Sequence, residues 1–223
     1  MRDRQHKQKI DTEKAAEGII AANENAKSLL EDAKLLFKYE RYARAISLAI
    51  LSIEESGKSS IIRSILLEDE PKEITKKWKE YRNHHDKNSL WIFPELAVNG
   101  AKKIEDFRKI VDAESDHRQT LDNLKQLCFY TDAFSKCKWS HPDKVANKNV
   151  AESILQIAEI SIDKKGTFTT KEMLDIWVKH MKEVWQEKKM SSMKIALINC
   201  YQECEDIGYF EKGKTKEMMN FLI

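Results

Sequence analysis

The fold is determined by residues 41–67, RYARAISLAILSIEESGKSSIIRSILL. Apolar side chains recur there at steps of three and four residues, which is the period of an α-helix. They cover nearly the whole circumference, while Glu54, Glu55 and Lys58 stand among them. Glu54 and Lys58 have the i,i+4 order that stabilises any helix, but burial would make an unpaired charge costly. The stretch predicts a long buried helix that carries charges.

The same helix contains SIEESGKS, residues 52–59, which is similar to a phosphate-binding loop. A Walker A loop begins with a glycine, follows a strand and opens a helix, so that its backbone N–H groups surround the phosphates. Ser52 takes the place of that glycine, and the helical pattern continues on both sides. We therefore expect no nucleotide binding. Gly57 is better interpreted as a position where a neighbouring helix approaches closely.

Composition narrows the class of protein. Charged residues make up 34% of the 223 residues, with only 6 Gly and 3 Pro, which favours helices with solvated faces over strands. No stretch approaches the roughly 20 apolar residues of a membrane-spanning helix, and the N-terminus does not resemble a signal peptide. We expect a cytoplasmic protein without a membrane partner. The net charge of +2 gives no overall attraction to nucleic acid.

The four cysteines form no C-x-x-C pair, and a cytosolic chain keeps them reduced. Cys137 and His141 are one helical turn apart, as are Cys200 and Cys204, so a zinc site would require the fold to join the two pairs. Cys200 and Cys204 fit better on the core face of a helix. We expect no metal site and no cofactor.

Two long helices, over residues 11–38 and 41–67, are joined by so short a link that they must be antiparallel neighbours. Pro71 marks the start of a third helix, which runs to about residue 85. Pro142 disfavours a helical His141 and places a turn there. Later helices are predicted at about residues 101–111, 115–128, 147–162, 170–188 and 192–207.

Thr169 and Glu172 have the spacing of a capping box, which would start the helix at residue 170. No repeat or low-complexity linker divides the late helices from the early ones. We therefore predict a helical domain over residues 11–165 and a C-terminal helical extension over residues 166–223, packed on the same domain.

Residues 72–87 carry six Lys or Arg against three acids, with two aromatic residues between them. Such a segment could contact single-stranded RNA, because cations bind phosphates and aromatic rings stack on bases. The alternative is a solvated amphipathic helix, which charge alone favours.

Three motifs taken in order resemble the AbiV-type abortive-infection proteins of the HEPN superfamily. The first is Glu54-Glu55-x-Gly57-Lys58 in the hairpin. Residues 81–87, YRNHHDK, are similar to the histidine–lysine segment of that family, and residues 124–132, LKQLCFYTD, to its tyrosine–aspartate segment. The resemblance covers roughly residues 15–165.

The resemblance implies an all-α, HEPN-like helical bundle built on a long antiparallel helix hairpin. It further implies an antiphage effector that acts as a homodimer and as a metal-independent endoribonuclease, cleaving RNA and blocking translation. A phage-encoded trigger or a neutralising protein would be a further partner. HEPN ribonucleases carry an Arg-x(4 to 6)-His motif, and here none of the six histidines has an arginine at that spacing.

Attack of a ribose 2′-OH on the adjacent phosphate needs a base, an acid and cations. His84 or His85, with Arg82 and Lys87, supplies that set, and these four are the candidate catalytic residues. Adjacent helical residues point about 100° apart, so one histidine is expected to face the site. Glu54, Glu55 and Lys58 are the expected supporting residues beside it.

Each candidate has a simpler alternative. Histidines at a helix C-terminus interact favourably with the helix dipole, which could be their whole role. A non-catalytic helical module that binds a partner protein is the second functional hypothesis, and the missing Arg-x(4 to 6)-His motif is its chief support. His117 is expected at the surface.

Overall fold

The computed structural model describes residues 5–83, 87, 116–162, 166–187 and 189–222, apart from the side chains of residues 134 and 135. Within these residues the chain is almost entirely helical, which confirms the all-α prediction. The predicted helix at residues 101–111 lies outside the described residues. The helices are α1 (Thr12–Lys38), α2 (Tyr42–Leu67), α3 (Pro71–Arg82), α4 (His117–Phe129), α5 (Pro142–Val145), α6 (Lys148–Ser161), α7 (Lys171–Glu187), α8 (Met190–Ile207) and α9 (Lys214–Leu222).

The hairpin of α1 and α2 is the centre of the fold, as predicted. Asp11 begins α1, because its carboxylate accepts a hydrogen bond from the backbone N–H of Lys14 at 2.8 Å. The chain reverses through Tyr39 to Arg41, where Glu40 adopts a left-handed backbone with φ of 59°. This tight reversal returns α2 along the whole length of α1.

Two sets of helices cover the two ends of the hairpin. Near the connection between α1 and α2, side chains from α4 and α6 complete one core around Ile46, Ile50 and Leu121. At the other end, α7 and α8 complete a second core around Ile19 and Leu66. The helices of one chain therefore bury α2 on nearly all sides. These helices supply the cover that the all-round apolar pattern of α2 requires.

Several local details differ from the prediction. Ala133–Phe134 (β1) and Lys138–Trp139 (β2) form a small antiparallel hairpin through a left-handed turn at Lys136 and Cys137, and two-residue strands have no detectable sequence period. The predicted capping box is wrong, because Thr170 and not Thr169 accepts from the N–H of Met173, at 3.3 Å. His117 is buried rather than at the surface, and α9 was not predicted.

The late helices pack on the early ones, since α7 contacts both α1 and α2 and α8 packs on α7. The division at residue 165 stays a prediction. None of the helices in the described ranges is both long and apolar enough to cross a membrane.

Candidate functional site

A charged cluster lies inside the bundle at the middle of α2. Its centre is the Glu54 carboxylate, whose side chain is only 1% exposed. Lys125 of α4 donates a hydrogen bond from Nζ to Glu54 Oε1 at 2.5 Å, and Lys87 Nζ lies 3.8 Å from Oε2. Both lysines are also buried. One carboxylate thus joins α2, α4 and the residue that ends the predicted histidine–lysine segment.

The backbone of Lys87 packs directly on Gly57, one turn after Glu54. A Cβ added to Gly57 would overlap the Lys87 carbonyl oxygen, so only glycine allows this contact. The close approach predicted at Gly57 is therefore confirmed, and the backbone that approaches is that of Lys87. Together, the Glu54 ion pair and the Gly57 contact fix Lys87 against α2.

Glu55 and Lys58 form a second pair on the neighbouring side of α2. Lys58 Nζ lies 2.5 Å from Glu55 Oε1, at i,i+3 spacing, and 5.0 Å above the centre of the Tyr81 ring. Among the described residues the carboxylate partner of Lys58 is thus Glu55 and not Glu54. Residues 52–59 are helical throughout, so they do not form the loop that a phosphate-binding motif needs.

Arg82 ends α3 and turns toward the N-terminal segment. Its Nη1 donates to the Trp78 carbonyl at 2.9 Å, its Nη2 donates to the His6 carbonyl, and its guanidinium lies 5.4 Å from the Trp78 ring centre. The structure therefore brings Lys87 to Glu54 and assigns Arg82 to other partners. His84 and His85 lie outside the described residues.

Burial shapes the electrostatics of the cluster. Removal from water lowers the pKa of the Lys87 ammonium, and the Glu54 carboxylate acts in the opposite direction. Lys125 also lies 2.8 Å from Asp122 Oδ1, one turn earlier on α4. Each buried lysine therefore has a carboxylate beside it, which is what makes its burial tolerable.

Sequence reasoning missed Lys125 as a member of this cluster. A signal was present, because Lys125 lies one turn after Leu121 and one turn before Cys128, both in the core. A lysine within a helical core stripe needs a buried partner. Which carboxylate it would meet, 71 residues away, is decided by the packing of α4 on α2.

Three of the four cysteines are core residues. Cys128, Cys200 and Cys204 are fully buried, and burial raises the pKa of Cys200 to about 12. Cys137 is exposed on the turn of the small hairpin, so it does not share the environment of Cys200 and Cys204. In the part of the chain that the structure describes, no three His, Cys, Asp or Glu side chains are grouped as metal ligands.

The model of the AbiV family of HEPN proteins matches residues 14–163, more than half of the chain. That range contains α1 from its third residue, α2 to α6 and every residue of the buried cluster. No curated protein and no solved structure matches the sequence.

Proposed function

Since this chain belongs to the AbiV family of HEPN proteins, which indicates an abortive-infection protein, we propose that it is the RNA-cleaving effector of such a response. The reaction is metal-independent endoribonucleolysis, it blocks translation, and the active form is a homodimer. A phage-encoded trigger or a neutralising protein controls it.

The observation that carries this proposal is the attachment of Lys87 to Glu54 and Gly57. A buried ion pair is costly to form and adds little net stability, so a reason other than stability is needed for keeping three charges inside the bundle. Preorganisation of a site supplies one, because reacting groups must be held closely in position. Lys87, which follows His85 by two residues in the sequence, is the group held in this way.

In the proposed reaction the ribose 2′-oxygen attacks the adjacent phosphorus and the bond from phosphorus to the 5′-oxygen breaks. One histidine accepts the 2′-OH proton, and a second acid protonates the departing 5′-oxygen. The products are a 2′,3′-cyclic phosphate and a 5′-OH end. Arginine N–H groups stabilise the charge on the phosphate oxygens in the transition state. Arg82 has donors beyond the two that the Trp78 and His6 carbonyls occupy.

A second candidate function is a non-catalytic module that binds another protein. It is favoured by the fact that Arg82 and Lys87 both direct their charges at groups of their own chain. Binding to another protein would not require an unpaired Lys or Arg side chain in residues 81–87.

Induction in bacteria separates the two functions. We expect the wild-type protein to stop growth and fragment cellular RNA, and His84→Ala/His85→Ala to do neither at equal protein level. His180→Ala is the matched control, because it removes a histidine that pairs with Glu203 on the C-terminal helices. Growth arrest with intact RNA, shared by the double variant, would favour the interaction module.

A further inference from the structure

We propose that a cleft at the start of α2, away from Glu54, binds a phosphate of single-stranded RNA. This inference rests on the proposed function for the identity of the nucleic acid. The cleft has a volume of about 330 Å³, and its main polar and aromatic lining residues are Arg41, Arg44, Tyr130, His141 and Asp143. Its volume lies in the lower part of the range of ligand sites.

The helix end itself favours an anion. Arg41 precedes the 26 residues of α2 and makes no capping hydrogen bond with its side chain, and the first turn contains no acidic residue. The N–H groups of that turn and the positive end of the helix dipole are therefore left uncompensated by side chains at this end. Helix termini of this kind bind phosphates when cations stand beside them.

Two arginines provide those cations. Arg44 is held in place, because Nη1 donates to the Phe129 carbonyl at 2.8 Å and the guanidinium lies 5.8 Å from the Phe129 ring centre. That bond uses one of the five guanidinium donors. The remaining N–H donors of the planar group are held in a fixed orientation at the cleft. Arg41 is exposed, and within the described ranges no side-chain hydrogen bond or ion pair holds it.

An exposed aromatic side chain, Tyr130, lines the cleft together with the arginines, and a second lies nearby in the sequence. Tyr130 is 61% exposed, and Trp139, two residues before His141, is 74% exposed. The N–H of Ser140 donates to the Asp132 carbonyl at 2.7 Å and ties these two stretches of chain together. Large exposed aromatic rings next to cations are the combination that stacks bases and holds the backbone of a single strand.

His141 and Asp143 complete the cleft. His141 Nδ1 lies 3.9 Å from Asp143 Oδ2, and both side chains are exposed. The carboxylate is the one anion among the five side chains named above, and it faces the histidine. The two arginines therefore leave the cleft with a positive charge, even with His141 neutral.

The test is the binding of a fluorescently labelled 2′-O-methyl oligoribonucleotide, measured by anisotropy at several salt concentrations. This probe cannot be cleaved by attack of a 2′-OH, so the measurement is independent of catalysis. We expect Arg41→Glu to weaken binding by about tenfold or more and to make the salt dependence shallower. Tyr130→Ala should weaken it roughly fivefold or more through lost stacking. Both residues are exposed, so the fold should persist.

Matched controls are Lys216→Glu and Tyr209→Ala, which make the same changes at exposed positions near the C-terminus. They should bind as the wild-type protein does. Equal binding by the wild type and Arg41→Glu would overturn the inference, as would binding of inorganic phosphate with no binding of the oligonucleotide. Oligonucleotide binding without RNA cleavage by the wild type would refute the proposed function and leave this inference standing.

Discussion

Glu54 is the residue on which the buried cluster depends. Its carboxylate is the partner of two buried ammonium groups, on Lys125 and Lys87. Removing one member of a buried ion pair leaves an uncompensated charge in a poorly polarisable interior, which costs far more than losing an exposed pair. Glu54 therefore matters more to the fold than Glu55, its neighbour in sequence.

We predict that Glu54→Gln lowers the free energy of unfolding by about 3 kcal/mol, because the amide keeps the shape of the side chain but not its charge. Glu55→Gln is the control and should cost about 1 kcal/mol or less, since its pair with Lys58 is partly solvated. Urea unfolding of both variants measures the difference. Equal losses would contradict the central position of Glu54.

At this scale the sequence analysis named two of the three residues of the buried cluster, Glu54 and Lys87, and missed Lys125. A glutamate within an apolar helix is visible in the sequence, and so is a lysine in a core stripe of α4. Their pairing, and the choice of Glu55 over Glu54 by Lys58, depend on rotamers and on helix packing. No local pattern contains that information.

At the level of helix packing, the contact between α2 and Lys87 leaves little room for a larger side chain at position 57. We predict that Gly57→Ala is destabilising by roughly 1–3 kcal/mol, because the new methyl group must displace the Lys87 backbone. Helix propensity alone would give a gain of about 1 kcal/mol. Gly18→Ala on α1 is the matched control.

At Gly18 the nearest atom to an added Cβ is the end of the Ile62 side chain, at 3.3 Å. That methyl group can shift, so we expect Gly18→Ala to be neutral or stabilising by up to about 1 kcal/mol. Both variants are measured by urea unfolding. A stabilised Gly57→Ala would show that Lys87 does not rest on α2 as described.

Helix α8 gives a prediction about pH. Burial raises the pKa of Cys200 to about 12, from an ordinary value of 9.0. Above pH 9 the unfolded state loses the thiol proton while the folded state keeps it, so stability falls as pH rises toward 12. The contribution approaches about 1.4 kcal/mol per pH unit.

We therefore expect Cys200→Ala to lose stability less steeply with pH than the wild type between pH 9 and 10.5, under reducing conditions. Denaturant titrations at several pH values give the slopes. Cys137→Ala removes an exposed thiol and is the control, with the wild-type slope. An unchanged slope in Cys200→Ala would mean that the buried thiol does not contribute.

The elements themselves were the most predictable level of the structure. The long helices α1 and α2 show the helical period clearly in the sequence, Asp11 marks the start of α1 and Pro71 that of α3. The short elements were not predicted, because β1 and β2 have only two residues each and α9 has nine. Whether these short elements form depends more on their contacts with other parts of the chain than on their own sequence pattern.

For the molecule as a whole, we predict a homodimer, with a mass in light scattering of twice the 26.1 kDa of one chain. We expect the dimer because of the chemistry of the site. The need to bury an apolar surface is not the reason, since the helices of one chain already bury α2. The proposed reaction needs both a base and an acid, and a second protomer brings a second copy of Arg82, His84 and His85 to a composite site. A monomer at micromolar concentration would remove the composite site.

Cleavage of single-stranded RNA by the purified protein in EDTA tests the central claim most directly. We predict products that end in a 2′,3′-cyclic phosphate, and rates lower by about 10² to 10⁴ in Arg82→Ala and in His84→Ala/His85→Ala. His180→Ala should cleave at the wild-type rate. Undiminished cleavage by the double-histidine variant would contradict the account.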